Sequence, residues 1–133
     1  MFLYNRRMID ISHTTFFNTV PSSIPFQDIA EYYLGKDYEL SLVFVGTREM
    51  KKLNNTHRGK DYATNVLSFP YDEQSGEMFI CPSVCKKQHK DFERDYENFI
   101  AFLYVHGLVH LKGYDHGDTM DEQESMLREA FSI

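Results

Sequence analysis

The chain has 133 residues, 42% of them hydrophobic and eleven of them phenylalanine, enough for one domain with a real core and too few to require a second. Its net charge of −6 excludes the broad basic face with which proteins neutralise many phosphates, so DNA is not an expected partner and any nucleic-acid contact must be local. Cys81 and Cys85 are too few for a disulfide framework and read as reduced, half-buried thiols, with a second metal site alongside His89 as the rival reading.

The first seven residues lack the basic, apolar and small-residue order of a signal peptide, and the expected location is the cytoplasm. Residues 8–13 alternate apolar and polar and predict a strand, followed by a loop around Pro21 and Pro25. A helix is expected over 25–34, with Pro25 as its first residue, a stripe of Ile29, Ala30, Tyr33 and Leu34, and Gly35 as its stop. Residues 39–45, rich in β-branched and aromatic side chains, read as the clearest strand.

Thr47 is expected to cap a short helix over 48–55, with Met50 and Leu53 inward and an exit through Asn54-Asn55. Strands over 65–69 and 77–80 follow, joined by a turn over 70–76 whose Pro, Asp, Ser and Gly suit a hairpin. Three helices are expected over 83–92, 95–112 and 120–131. The most apolar stretch, 99–111, is too short to span a bilayer and reads as a core helix. Consecutive strands with helices around them favour an α+β fold: one small domain over 1–133, a mixed sheet of about four strands packed against helices, and a metal site at the end of a central helix.

That site is read from His106-Gly107-Leu108-Val109-His110-Leu111-Lys112-Gly113-Tyr114-Asp115-His116. His106 and His110, four apart, project from one helix face, close enough to share a cation. Gly113 can take the left-handed conformation that ends the helix and returns His116 towards the pair. Three imidazoles leave the fourth position of a zinc ion open, as in catalytic sites. Asp115 is a candidate to orient a ligand imidazole, or else caps the turn.

A second unusual segment feeds polar and glycine-containing residues into a buried strand: Leu53-Asn54-Asn55-Thr56-His57-Arg58-Gly59-Lys60-Asp61-Tyr62-Ala63-Thr64-Asn65-Val66-Leu67-Ser68-Phe69-Pro70. Arg58 stands out, because a guanidinium binds phosphate with two parallel hydrogen bonds; the bland alternative is pairing with Asp61 or another surface acid. Lys51, Lys52 and Lys60 near Arg58, and Lys86, Lys87, Lys90 and Arg94 further on, are local basic groups that read first as solvated faces.

Together these segments resemble the YbeY family of bacterial zinc endoribonucleases, whose pattern joins an arginine loop and a T-D/N-V-L-S-F-P strand to H-G-x-L-H-L-x-G-Y-D-H. The likeness runs from about Glu39 to Phe131. It implies one zinc ion per chain on His106, His110 and His116, a catalytic or substrate-binding Arg58, and single-strand cleavage in rRNA maturation, at the 16S 3′ end, and in ribosome quality control. It also implies rRNA and the small ribosomal subunit with its proteins as partners, and no membrane. His57 stands where the family commonly has tyrosine, Ala63 where it has proline, and Val109 where it has a leucine-like residue.

Two rival readings are set beside this one. The spacing also fits the zinc-peptidase motif H-E-x-x-H-x-x-G-x-x-H, but Gly107 occupies the place of its general-base glutamate. A zinc-stabilised ribosome-binding factor without nuclease activity would suit an acidic chain docking on a basic protein.

Overall fold

The computed structural model describes residues 9–133. The predicted start of the first strand at Met8 and the reading of residues 1–7 lie outside the described residues. Four strands, β1 (Ile9–His13), β2 (Glu39–Phe44), β3 (Val66–Asp72) and β4 (Ser75–Ile80), form one sheet in the order β1-β2-β4-β3. β1 and β2 are parallel, as are β2 and β4, while β3 and β4 are antiparallel. The helices are α1 (Phe26–Leu34), α2 (Thr47–Arg58), α3 (Pro82–Gln88), α4 (Tyr96–Leu111) and α5 (Asp118–Phe131), with a 3-10 turn at His89–Phe92. This is the expected α+β fold with a mixed four-stranded sheet.

Helix α4 is central because it is apolar on nearly every side, and a helix of that kind must be covered all round. It packs on β3 and β4 and against α1, α3 and α5. Its start is held by Asp95, whose carboxylate accepts from the Asn98 N–H at 2.7 Å. Its buried residues join Ile29 and Tyr33 of α1, Leu40, Leu42 and Phe44 of β2, and Met120 and Leu127 of α5 in the main core. A smaller cluster on the other side of the sheet gathers Val43, Met50, Leu67 and Phe79 under α2.

Several boundaries and caps differ from expectation. Thr47 is not the cap of α2 but its first residue; Gly46, in an extended conformation, takes the cap position, and its carbonyl accepts from the Met50 N–H at 3.0 Å. The same helix does not leave through Asn54-Asn55 but runs on to Arg58, where Gly59 closes it in the left-handed region at φ 67°. Tertiary contacts override the poor helix propensity there, since Asn54 is fully buried and its amide donates to the Tyr62 carbonyl at 2.9 Å.

The hairpin is longer than its turn residues suggest. β3 continues through Pro70 to Asp72, and only Glu73-Gln74 separate it from β4. Proline is tolerated because β3 is an edge strand, with a register irregularity between Pro70 and Asp72. The Asp72 carboxylate accepts from the Gln74 N–H at 2.8 Å and the Ser75 hydroxyl at 2.9 Å, closing the reversal. α1 begins at Phe26, with Pro25 flanking it, and the predicted helix over 83–92 is α3 followed by the 3-10 turn.

Candidate metal centre and active site

From Phe99 to Leu111 only Phe102, His106 and His110 are not fully buried. Spaced four apart, they form one stripe of α4. That stripe walls a cleft of about 740 Å³, and β3 residues from Val66 to Pro70 form the facing wall. His116 is added by the turn after α4. Gly113 adopts φ 109°, a conformation most L-residues avoid, and its N–H donates to the His110 carbonyl at 2.9 Å. The reversal expected at Gly113 is therefore present, and it carries His116 back over the helix end.

The ring centroids of His106 and His110 are 4.7 Å apart, those of His110 and His116 5.3 Å, and those of His106 and His116 5.9 Å. Imidazoles on one tetrahedral zinc, with Zn–N of roughly 2.0–2.1 Å, place their centroids about 5 Å apart. The separations bracket that value, although no three His, Cys, Asp or Glu side chains among the described residues are drawn together as a formed coordination shell.

The donor chemistry tests the fit more sharply. His106 Nδ1 lies 2.7 Å from Glu124 Oε1, and His110 Nδ1 lies 3.0 Å from the Tyr114 carbonyl. A carboxylate and a carbonyl only accept, so each Nδ1 carries a proton, and in the neutral imidazole Nε2 is then the nitrogen with the lone pair. That is the tautomer a metal-ligating histidine needs, and the tie to an oxygen acceptor is the usual outer-sphere support. Burial lowers the His110 pKa, and His106 beside it adds to the effect, so the neutral imidazole is favoured.

Glu124 is not singled out by the sequence, which offers Asp115 as the candidate for the orienting role, with a turn cap as its alternative. In the structure Asp115 is exposed on the cleft rim, and no hydrogen bond joins it to an imidazole among the described residues. Glu124 is buried, on the same face of α5 as Met120 and Leu127. An acid within an apolar stripe was the available signal.

Arg58 reaches the same cleft from the last turn of α2. Its Nη1 donates to Asn54 Oδ1 at 3.3 Å, and Asp61 pairs instead with Lys51 at 3.8 Å. Among the described residues no acid neutralises Arg58, so its fork is open to an anion. His57 points elsewhere: its ring packs on Phe69 at 4.6 Å and it lines a separate groove beside β1. Ala63 is accommodated against the smaller core cluster.

The other candidates separate. Cys81 belongs to the smaller cluster and Cys85 to the main core, both as buried free thiols, and His89 Nδ1 meets the Arg94 carbonyl at 2.8 Å. Gly107 is enclosed against the sheet, where a Cβ would lie 2.5 Å from Met78 Cε and 2.7 Å from its Sδ. The place of a peptidase's glutamate is thus filled by core packing.

The chain is similar to known proteins over most of its length. The YbeY family model, described as endoribonuclease YbeY, matches residues 6–133. Relatives named endoribonuclease YbeY include one from Alkaliphilus metalliredigens, 41% identical over 104 residues that span 70% of this chain and 67% of the relative. Another, from Methylobacillus flagellatus, is 34% identical over 131 residues, 96% of this chain and 88% of the relative. The solution structure of a Thermotoga maritima protein superposes with a TM-score of 0.63 at 24% identity, covering 94% of this chain and 90% of that one, a likeness of fold. A cleft that unites three imidazoles with an unneutralised arginine, on a chain matched almost end to end, places this protein in the YbeY endoribonuclease family.

Proposed function

We propose that this chain is a zinc-dependent endoribonuclease that cuts single-stranded rRNA during maturation of the small subunit, at the 16S 3′ end, in the cytoplasm. The observation that carries the reading is the pair of fixed Nδ1 protons on His106 and His110, which leaves two Nε2 lone pairs beside His116 in the cleft that Arg58 enters. His106, His110 and His116 would hold one zinc ion. When bound, zinc supplies a Lewis acid for a phosphoryl oxygen and lowers the pKa of water.

The chain's own residues do the rest. Arg58 offers N–H donors to non-bridging phosphate oxygens, and its charge does not titrate away at neutral pH. Asn54, locked by its bond to the Tyr62 carbonyl, steadies the guanidinium from below. Glu124 holds the His106 ring in its working tautomer. The apolar wall of β3 and α4 thins the water around the developing charge, so a donor there counts for more than in bulk solvent.

Arg58→Ala tests the assignment. It is expected to keep full zinc content and melting temperature while cleavage of a single-stranded rRNA 3′-end fragment falls about 100- to 1,000-fold, the usual loss for one electrostatic donor. Unchanged cleavage would remove Arg58 from the reaction. Unchanged zinc with loss of association to small subunits alone would instead favour a binding factor.

A further inference from the structure

The stripe that carries His106 and His110 does not stop at the metal cleft. Continuing back along α4 in steps of four, it passes Phe102 and Asn98 and reaches Arg94 just before the helix, each step about 6 Å. Phe92, in the 3-10 turn, stands beside it. Its ring stacks on Phe99 with centroids 4.8 Å apart, yet 48% of the residue is exposed, and both Phe92 and Phe102 line the cleft. A phenylalanine supported on one side and open to a polar cleft on the other leaves an aromatic face available.

Two guanidiniums lie against the neighbouring ring: Arg94 Cζ is 4.3 Å and Arg128 Cζ 5.3 Å from the Phe102 centroid. Their hydrogen-bond partners are neutral, the Asn98 side-chain carbonyl for Arg94 and the Ser125 hydroxyl for Arg128. Among the described residues neither has a carboxylate within ion-pair distance. Arg94 is held below the ordinary guanidinium pKa by partial burial and by Arg128 beside it. In a chain of net charge −6, two like charges left together without an acid mark a place where an anion is missing.

We propose that Phe92, Arg94 and Arg128 form a nucleotide subsite for single-stranded RNA next to the metal cleft, with one base stacked on the Phe92 ring and the adjoining phosphate held by the two guanidiniums. It rests on the ribonuclease reading and extends it. Aromatic stacking takes any unpaired base, whereas a duplex cannot offer a base face, so the subsite selects single strands without selecting sequence. It also explains how an acidic protein holds a polyanion, by a local pair of cations in place of a basic face.

The chain contains no tryptophan, so Phe92→Trp introduces a single indole at the subsite. A 2′-O-methyl oligouridylate, checked for integrity after each run, serves as the probe. Binding is read both by anisotropy of a labelled probe and by indole fluorescence, with Phe16→Trp, at a position 94% exposed and outside the cleft, as the control for non-specific quenching. The expected result is saturable quenching for Phe92→Trp alone, at the concentrations that raise anisotropy, and none with an RNA duplex. Phe92→Leu should weaken binding at least about fivefold and Phe92→Tyr should restore it. Arg94→Gln and Arg128→Gln should each reduce the salt dependence, lowering the slope of log K against log salt by about 0.7.

Wild-type binding with an unquenched indole and unchanged affinity for Phe92→Leu would overturn the subsite and leave the ribonuclease reading standing. Absence of any RNA binding or cleavage by the unaltered, zinc-loaded protein would overturn both. Melting temperatures of the Phe92 variants separate a lost platform from a loosened fold, because Phe92→Trp and Phe92→Tyr retain the ring that packs on Phe99.

Discussion

Glu124 and Asp115 divide a role that spacing alone had left open. Glu124 is buried and bonded to His106 Nδ1, whereas Asp115 is exposed. Glu124→Gln is therefore expected to lower zinc affinity about 10- to 100-fold with an unaltered far-UV circular dichroism spectrum, and Asp115→Asn to leave affinity unchanged, as measured by competition with a chromophoric chelator. The reverse ranking would give the outer-sphere contact to Asp115. The histidine triad was legible because i, i+4 spacing followed by glycine constrains three side chains locally; Glu124 was not, because its partner lies eighteen residues earlier and only packing brings them together. Cys85 gives a separate check. Burial pushes its thiol up to about 12, so the reactive thiolate is scarce at neutral and mildly alkaline pH. Iodoacetamide at pH 8 should leave Cys85 unmodified in the native protein and label it fully in guanidinium chloride, by mass spectrometry; rapid native labelling would mean that α3 opens readily.

The elements show where local reading fails and why. Asn54-Asn55-Thr56 resembles a helix exit by propensity, yet α2 continues because Asn54 is buried and bonded to Tyr62, a contact invisible from composition. The consequence is functional, since Arg58 sits on a helix end and not on a loop. Pro70 misled in the other direction: it reads as a turn residue unless β3 is known to lie at the sheet edge. Close approach of α4 to β4 is equally nonlocal. Gly107 leaves no room for a methyl group against Met78, so Gly107→Ala is expected to destabilise the fold by about 1–3 kcal/mol in urea titrations, with zinc stoichiometry retained. A neutral effect would show that the Met78 side chain yields freely.

The whole molecule has a simple logic. An all-round apolar helix is buried between a mixed sheet and its companion helices, and only one stripe of it faces a cleft. Fold class and the gathering of three histidines at the end of that helix could be read in advance because they follow from hydrophobic periodicity and one motif. The cleft itself, formed by α4 against β3 with Arg58 arriving from α2, required the topology. No helix among the described residues is long and apolar enough to cross a membrane. The central claim is that these parts make a metal-dependent ribonuclease. It is tested most directly by incubating a single-stranded rRNA 3′-end fragment with zinc-loaded protein beside His110→Ala prepared identically. The account predicts cutting by the unaltered protein and none by the variant; equal cutting by both, with the variant folded and free of zinc, would contradict it.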